Sequence, residues 1–331
     1  MKRYLTVFAS FLIMLCLGSV YAWSIIASEL IQTHHFSASQ TQIIFGTIIA
    51  IFPVTMIFVG HLGEQVRPRH IAYISGFLFL AGNMLAGYSN GHFILILLGI
   101  GVLTGVATGF GYWAALTTPV QWFPGKKGLI TGISAAGFGL GAVLMSDIAE
   151  LILFNKQDVF SLFKIIGLSY GLIIFISANA IIPKTRDTQK KKIHFKEYLG
   201  NRVFQKLFLG IFLGTFAGLL IIGNLKIIGG QGDISAHDLI LGVSLFAVAN
   251  FLGRITWGFI ADYTGASLSI FMALLVQSVA IFLLNIIALT NISFIMLAFL
   301  TGFGFGGNFV LFAKETAHVF GISNLGIVYP Y

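Results

Sequence analysis

The sequence predicts an all-α membrane protein with about ten transmembrane helices, and three observations carry that prediction. The composition is 57% hydrophobic and only 9% charged, with a mean hydropathy of +0.94. Apolar runs of membrane-spanning length recur along the whole chain. Lysine and arginine fall almost entirely on one side of the topology those runs define.

A soluble domain carries about 25% charged residues to cover its core. With 9%, lipid must solvate much of this surface. The single Cys16 lies in an apolar run, so neither an intrachain disulfide nor a cysteine-based metal cluster can form.

About 20 apolar residues cross ~30 Å of hydrocarbon at 1.5 Å per residue. Such runs lie at 5–31, 42–63, 69–88, 92–118, 128–153, 161–183, 206–228, 237–260, 267–289 and 291–313. The first begins after Met1-Lys2-Arg3 and contains Val20-Tyr21-Ala22, which together imitate a secretory signal and its cleavage site. Its apolar stretch continues to Leu30, long enough to span, so it reads as a retained first helix. One long hydrophilic segment, 184–205, carries Lys190, Lys191, Lys192, Lys196 and Arg202. It divides the chain into a six-helix bundle at 1–183 and a second bundle at 206–331.

With a cytoplasmic N-terminus, 16 of the 19 basic residues face the cytoplasm, as the positive-inside rule requires. Only Lys156, Lys164 and Lys226 lie outside. This bias absorbs the net charge of +8, so nucleic acid is not needed as a partner, and the helical spans place the chain in an inner or plasma membrane.

The chain also repeats itself. Gly60-His61-Leu62-Gly63-Glu64 closes the second run and Gly258-Phe259-Ile260-Ala261-Asp262 closes the eighth, 198 positions apart. Segments 123–128 and 320–326 match more loosely, at offsets of 197 and 198. A duplicated six-helix unit is one recognised build of transporters. That register puts Gly326 at the start of an eleventh helix. The expectation is therefore a second bundle of about four helices plus the start of a fifth, truncated before helices eleven and twelve.

These residues resemble the major facilitator superfamily and, within it, the oxalate/formate antiporter group. The resemblance rests on Tyr21-Ala22-Trp23-Ser24, Gly109-Phe110-Gly111-Tyr112, Trp122 to Leu129, Gly137 to Ala142 and Gly253 to Gly258. It implies twelve helices, with a substrate site between two bundles exposed alternately to each side. It also implies aromatic residues of the first and fourth helices in the cavity, matched by Tyr21 and Tyr112, and a cation on the eighth, matched by Arg254. The family's eleventh-helix lysine has no counterpart here, which puts dicarboxylate binding in question.

Arg254 lies about 12 Å into the membrane from Asp262. A charge there costs at least ~2.5–3.5 kcal/mol and needs a cavity or a partner. Its planar fork suits a carboxylate; equally, it could snorkel to the headgroups or pair with Asp262. Tyr21, Trp23 and Tyr112 either line a cavity or bond neighbouring carbonyls. Gly101, Gly105 and Gly109, and Gly128 and Gly132, recur every four residues and suit close helix packing. Without strand context they are no phosphate loop. Glu64, beside Arg67 and Arg69, and Asp262 are placed in turns where each could cap the next helix and, with Gly60 and Gly258, gate the inner side. The second copy lacks the neighbouring basic residues. Asp147 and Glu150 share a face and either bind protons or simply reach outer water. No histidine pair has metal-ligand spacing supported by carboxylates, so no metal and no cofactor is expected.

The expected function is a secondary carrier of small carboxylates, by exchange or proton coupling, embedded in the lipid bilayer. No metal dyad or nucleophile elbow with strand context supports an enzyme. The alternatives are a truncated, inactive carrier or a carrier of a different small solute.

Overall fold

The computed structural model describes residues 1–154, 158–184, 198–230, 232 and 234–331. Lys190, Lys191, Lys192 and Lys196 of the expected linker lie outside the described residues, as do Asn155, Lys156 and the side chain of Lys226.

Ten helices among the described residues are long and apolar enough to cross a membrane. They are α1 (Lys2–His34), α2 (Ala38–Leu62), α3 (Pro68–Gly87), α4 (Phe93–Val120) and α5 (Lys127–Phe154). Then follow α6 (Val159–Ala178), α7 (Arg202–Gly230), α8 (Ala236–Thr264), α9 (Ala266–Ile286) and α10 (Asn291–Val319). Each of the ten expected runs falls on one of them. A 3-10 turn at Gly18–Ala22 interrupts α1, and a π-helical stretch at Leu97–Thr104 lies within α4.

Local chemistry sets the boundaries. Ser37 and Gln40 form a capping box at the start of α2, and Thr290 and Ser293 do so for α10, each satisfying orphan N–H groups at the helix end. Asn201 Oδ1 accepts the Val203 N–H at 2.8 Å, so α7 begins at Arg202, inside the segment expected to be linker. At their other ends, α8 and α10 outrun the expected limits of 260 and 313. Each stops at a glycine, Gly265 or Gly321, with φ near 86°, a conformation closed to residues with a Cβ. Asp262 therefore sits in the last turn of α8, not in a loop. A short helix, α11 (Ile322–Val328), follows Gly321 and starts before the position the repeat register predicts.

The chain groups into two compact units. Unit 1 comprises Met1–Trp122, Leu140–Thr185 and Pro330–Tyr331; unit 2 comprises Phe123–Gly139 and Arg186–Tyr329. The division falls inside α5. In unit 1, α3 packs against α4 and α6, α1 against α4 and α6, and α2 against α4. In unit 2, α10 packs against α7, α8 and α9.

In lipid, apolar burial does little to drive helices together, so small residues and polar bonds must hold them. The first turn of α5 crosses α8 at Gly128 and Gly258, where a Cβ on either residue would overlap the other's carbonyl oxygen. In unit 1, the Ser75 hydroxyl of α3 donates to the Ala107 carbonyl of α4 at 2.7 Å. On α7, Phe208, Phe212 and Phe216 stay exposed, a face suited to lipid.

Candidate functional site

Arg254 is the largest fully buried side chain described, at 1% exposure. Its Nε donates to Asn250 Oδ1 one turn earlier on α8 at 2.9 Å. Its Nη1 donates to the Ala135 carbonyl of α5 at 2.9 Å. The Phe309 ring of α10 lies 4.8 Å from the guanidinium carbon. Enclosure at this level rules out snorkelling, and Asp262 pairs instead with Lys314 at 2.8 Å. Among the described residues no carboxylate pairs with Arg254. A carbonyl dipole and an aromatic face offset part of the cost of a buried cation. They leave its charge unneutralised, and the remaining guanidinium donors bond no described residue.

The aromatic candidates separate. Tyr112 is buried on α4, with its ring 5.1 Å from that of Phe52 on α2. Tyr21 is half-buried in the 3-10 turn of α1. Both belong to unit 1, and Arg254 to unit 2. Trp23, left open by the sequence, is buried at 4%, and its indole N–H donates to the Thr41 carbonyl at 3.0 Å. It clamps α1 to α2.

The two copies of the repeated motif differ in their partners. Asp262 accepts the N–H groups of Gly128 and Leu129 at 2.9 Å each. It therefore caps the first turn of α5, not the following helix α9 as the sequence suggested. The cause is topological: the Gly128–Gly258 crossing brings the start of α5 to the last turns of α8. Lys314 of α10 supplies the cation that the second copy lacks locally. A pocket of about 240 Å³ opens beside this cluster, with Lys127, Asp262, Lys314, Glu315 and His318 in its wall. In the first copy Gly60 is buried, Glu64 half-buried and Arg67 exposed at the N-cap of α3. Arg69 turns to Tyr73 and Asn179, joining α3 to α6.

Asp147 and Glu150 are both exposed on α5. Among the described residues no group of three or more His, Cys, Asp or Glu is placed to hold a metal ion.

The sequence model of the Major Facilitator Superfamily matches residues 5–329. The chain belongs to that superfamily. This facilitator is 27% identical to the oxalate:formate antiporter of Oxalobacter formigenes, over 95% of this chain and 77% of that one. It is 25% identical to the uncharacterized MFS-type transporter YhjX of Escherichia coli (strain K12), over 99% and 84%. Among solved structures, the facilitator FucP in its outward conformation matches with a TM-score of 0.66 at 14% identity, covering 100% of this chain and 96% of that one. That likeness supports the fold alone. As a facilitator, the protein is a multi-pass membrane transporter and not an enzyme.

Sequence reasoning missed several residues of this facilitator's unit 2. Asn250 could have been found, because it lies four residues before Arg254 and so on the same helix face. Lys314 stands beside Glu315 at the end of a long apolar run, and nothing in its neighbourhood names Asp262 as its partner. Gln277 and Asn308 gave weaker signals. Both are buried; Gln277 Nε2 donates to the Gly214 carbonyl at 2.8 Å, and Asn308 Nδ2 to Gln277 Oε1 at 3.1 Å. This chain of amides ties α7, α9 and α10 together.

Proposed function

We propose that the protein carries small carboxylates across an inner or plasma membrane by alternating access, with its N-terminus in the cytoplasm. Arg254 of unit 2 holds the anion, and within unit 1 Tyr21 and Tyr112 offer phenol donors. The observation that carries this reading is the buried Arg254 with no carboxylate partner among the described residues. A cation so enclosed is stabilised most by a counter-charge, and a carboxylate matches the guanidinium fork. A relative named for oxalate and formate and another named a pyruvate carrier support the same class of cargo. The bias of basic residues supports the orientation.

Asp262 and Lys314, with Gly258 at the crossing, form a latch between α5, α8 and α10 that opens and closes during transport. Gly60, Glu64 and Arg67 take the corresponding role in unit 1. Coupling is by anion exchange, the activity named in the oxalate:formate relative, with a proton gradient as the alternative drive.

Counterflow in reconstituted vesicles tests the reading. Formate, oxalate and pyruvate, each loaded inside, should accelerate entry of the labelled anion. Uptake of a neutral solute alone, with no carboxylate moving, would overturn it.

A further inference from the structure

Asn250 is the one polar residue, among the described residues, whose side chain bonds the Arg254 guanidinium. It is 8% exposed on α8. A guanidinium offers only donors, so the amide must turn its oxygen toward Arg254 Nε, as it does at 2.9 Å. That orientation commits the amide nitrogen to the other side of the same side chain. Among the described residues, Asn250 Nδ2 makes no hydrogen bond. The uncommitted Arg254 donors and the Asn250 Nδ2 donors therefore belong to two side chains already joined to each other.

The chemistry at position 250 matters as much as the geometry. An aspartate there would have the same shape and would also accept from Nε, but it would neutralise the cation and supply the counter-charge that a substrate would otherwise bring. An alanine would leave Nε without its acceptor and free the guanidinium to swing. Asparagine alone among these holds the guanidinium in place, keeps its charge and adds a donor of its own.

We propose that Asn250 is a specificity-determining positioning residue for the carboxylate. Its Oδ1 fixes the Arg254 fork, and its Nδ2 donates to one carboxylate oxygen while Arg254 Nη donates to the other. A monocarboxylate group is thereby recognised with one buried cation and one neutral amide. This rests on the anion reading above, and it goes further by assigning the second donor and by explaining why the acceptor beside Arg254 is uncharged.

The test is formate uptake by vesicles containing wild type, Asn250→Ala, Asn250→Asp, Asn250→Gln or Arg254→Gln, with KM and kcat determined separately. Monodispersity and melting in detergent establish that each variant is folded; Asn250→Asp, being isosteric, keeps the test open if the alanine variant fails to fold. The expected result is a KM roughly ten-fold higher for Asn250→Ala with kcat little changed, since a hydrogen bond to a charged group is lost. Asn250→Asp should lose formate uptake at least as severely, and Asn250→Gln, which keeps both amide functions, should recover part of the affinity. An unchanged KM in Asn250→Ala beside a raised KM in Arg254→Gln overturns the role of Asn250 and leaves the anion reading standing. A fall in kcat with KM unchanged overturns it too, because it marks packing rather than recognition. Formate kinetics that are unchanged in Arg254→Gln as well, or absent in wild type, overturn both.

Discussion

The Asp262 carboxylate accepts the Gly128 N–H at 2.9 Å, closing the first turn of α5 with an acid from the last turn of α8. The same carboxylate holds Leu129 N–H and Lys314 Nζ, so one side chain joins three helices. It does so with little water, since the Asp262 and Lys314 side chains are 8% and 12% exposed.

Removing that carboxylate leaves two helix N–H groups and a largely enclosed ammonium without their acceptor. Asp262→Ala should destabilise the protein by roughly 3 kcal/mol, read as a lowered melting temperature in detergent. Asp262→Asn keeps an acceptor for one N–H and should lose less. Equal melting of Asp262→Ala and wild type would show that the cluster contributes nothing.

The crossing beneath it makes a second prediction. A Cβ on Gly128 or Gly258 meets backbone, which cannot move aside, so Gly128→Ala and Gly258→Ala should each cost about 1–3 kcal/mol. Gly125→Ala is the control, because its Cβ would enter open space, and it should melt like wild type. Thermal melts of the three variants side by side check this.

In unit 1, Trp23 is read as a clamp between α1 and α2. Trp23→Phe keeps an aromatic ring, though a smaller one, and loses the bond to the Thr41 carbonyl; it should cost at least about 1 kcal/mol. Substrate KM should be unaffected. A raised KM at unchanged stability would return Trp23 to the substrate cavity.

Gln277 and Asn308 act as a unit. A double-mutant cycle with Gln277→Leu and Asn308→Leu should give a coupling energy of about 0.5–3 kcal/mol, measured from melting of the single and double variants. Strict additivity would dissolve the network into independent contacts.

These cases show what could be read from the chain and what could not. The ten spans were legible because hydrocarbon thickness imposes a minimum length on every apolar run. The Gly128–Gly132 face was legible because close packing in lipid requires small residues at helical spacing. Arg254 stood out because a charge inside a span is costly wherever it points. Its surroundings did not, since Ala135 and Phe309 reach it from distant helices. Asp262 was recognised as a cap but assigned to the wrong helix, because the partner of a capping side chain is chosen by tertiary crossing and not by sequence neighbourhood. Lys314 escaped for the same reason. The ends of α7, α8 and α10 moved because Asn201, Gly265 and Gly321 set them locally, whereas hydropathy averages over such single residues.

The measurement that bears most directly on the central claim is carboxylate counterflow by Arg254→Gln, with Arg254→Lys alongside. A buried cation that binds the anion predicts a loss of roughly a hundred-fold in kcat/KM for the glutamine variant. The lysine variant, which keeps the charge but not the fork, should retain part of the activity. Both proteins should remain folded and monodisperse. Wild-type counterflow of formate or oxalate in a folded Arg254→Gln would contradict the account, because the anion would then be held by something else.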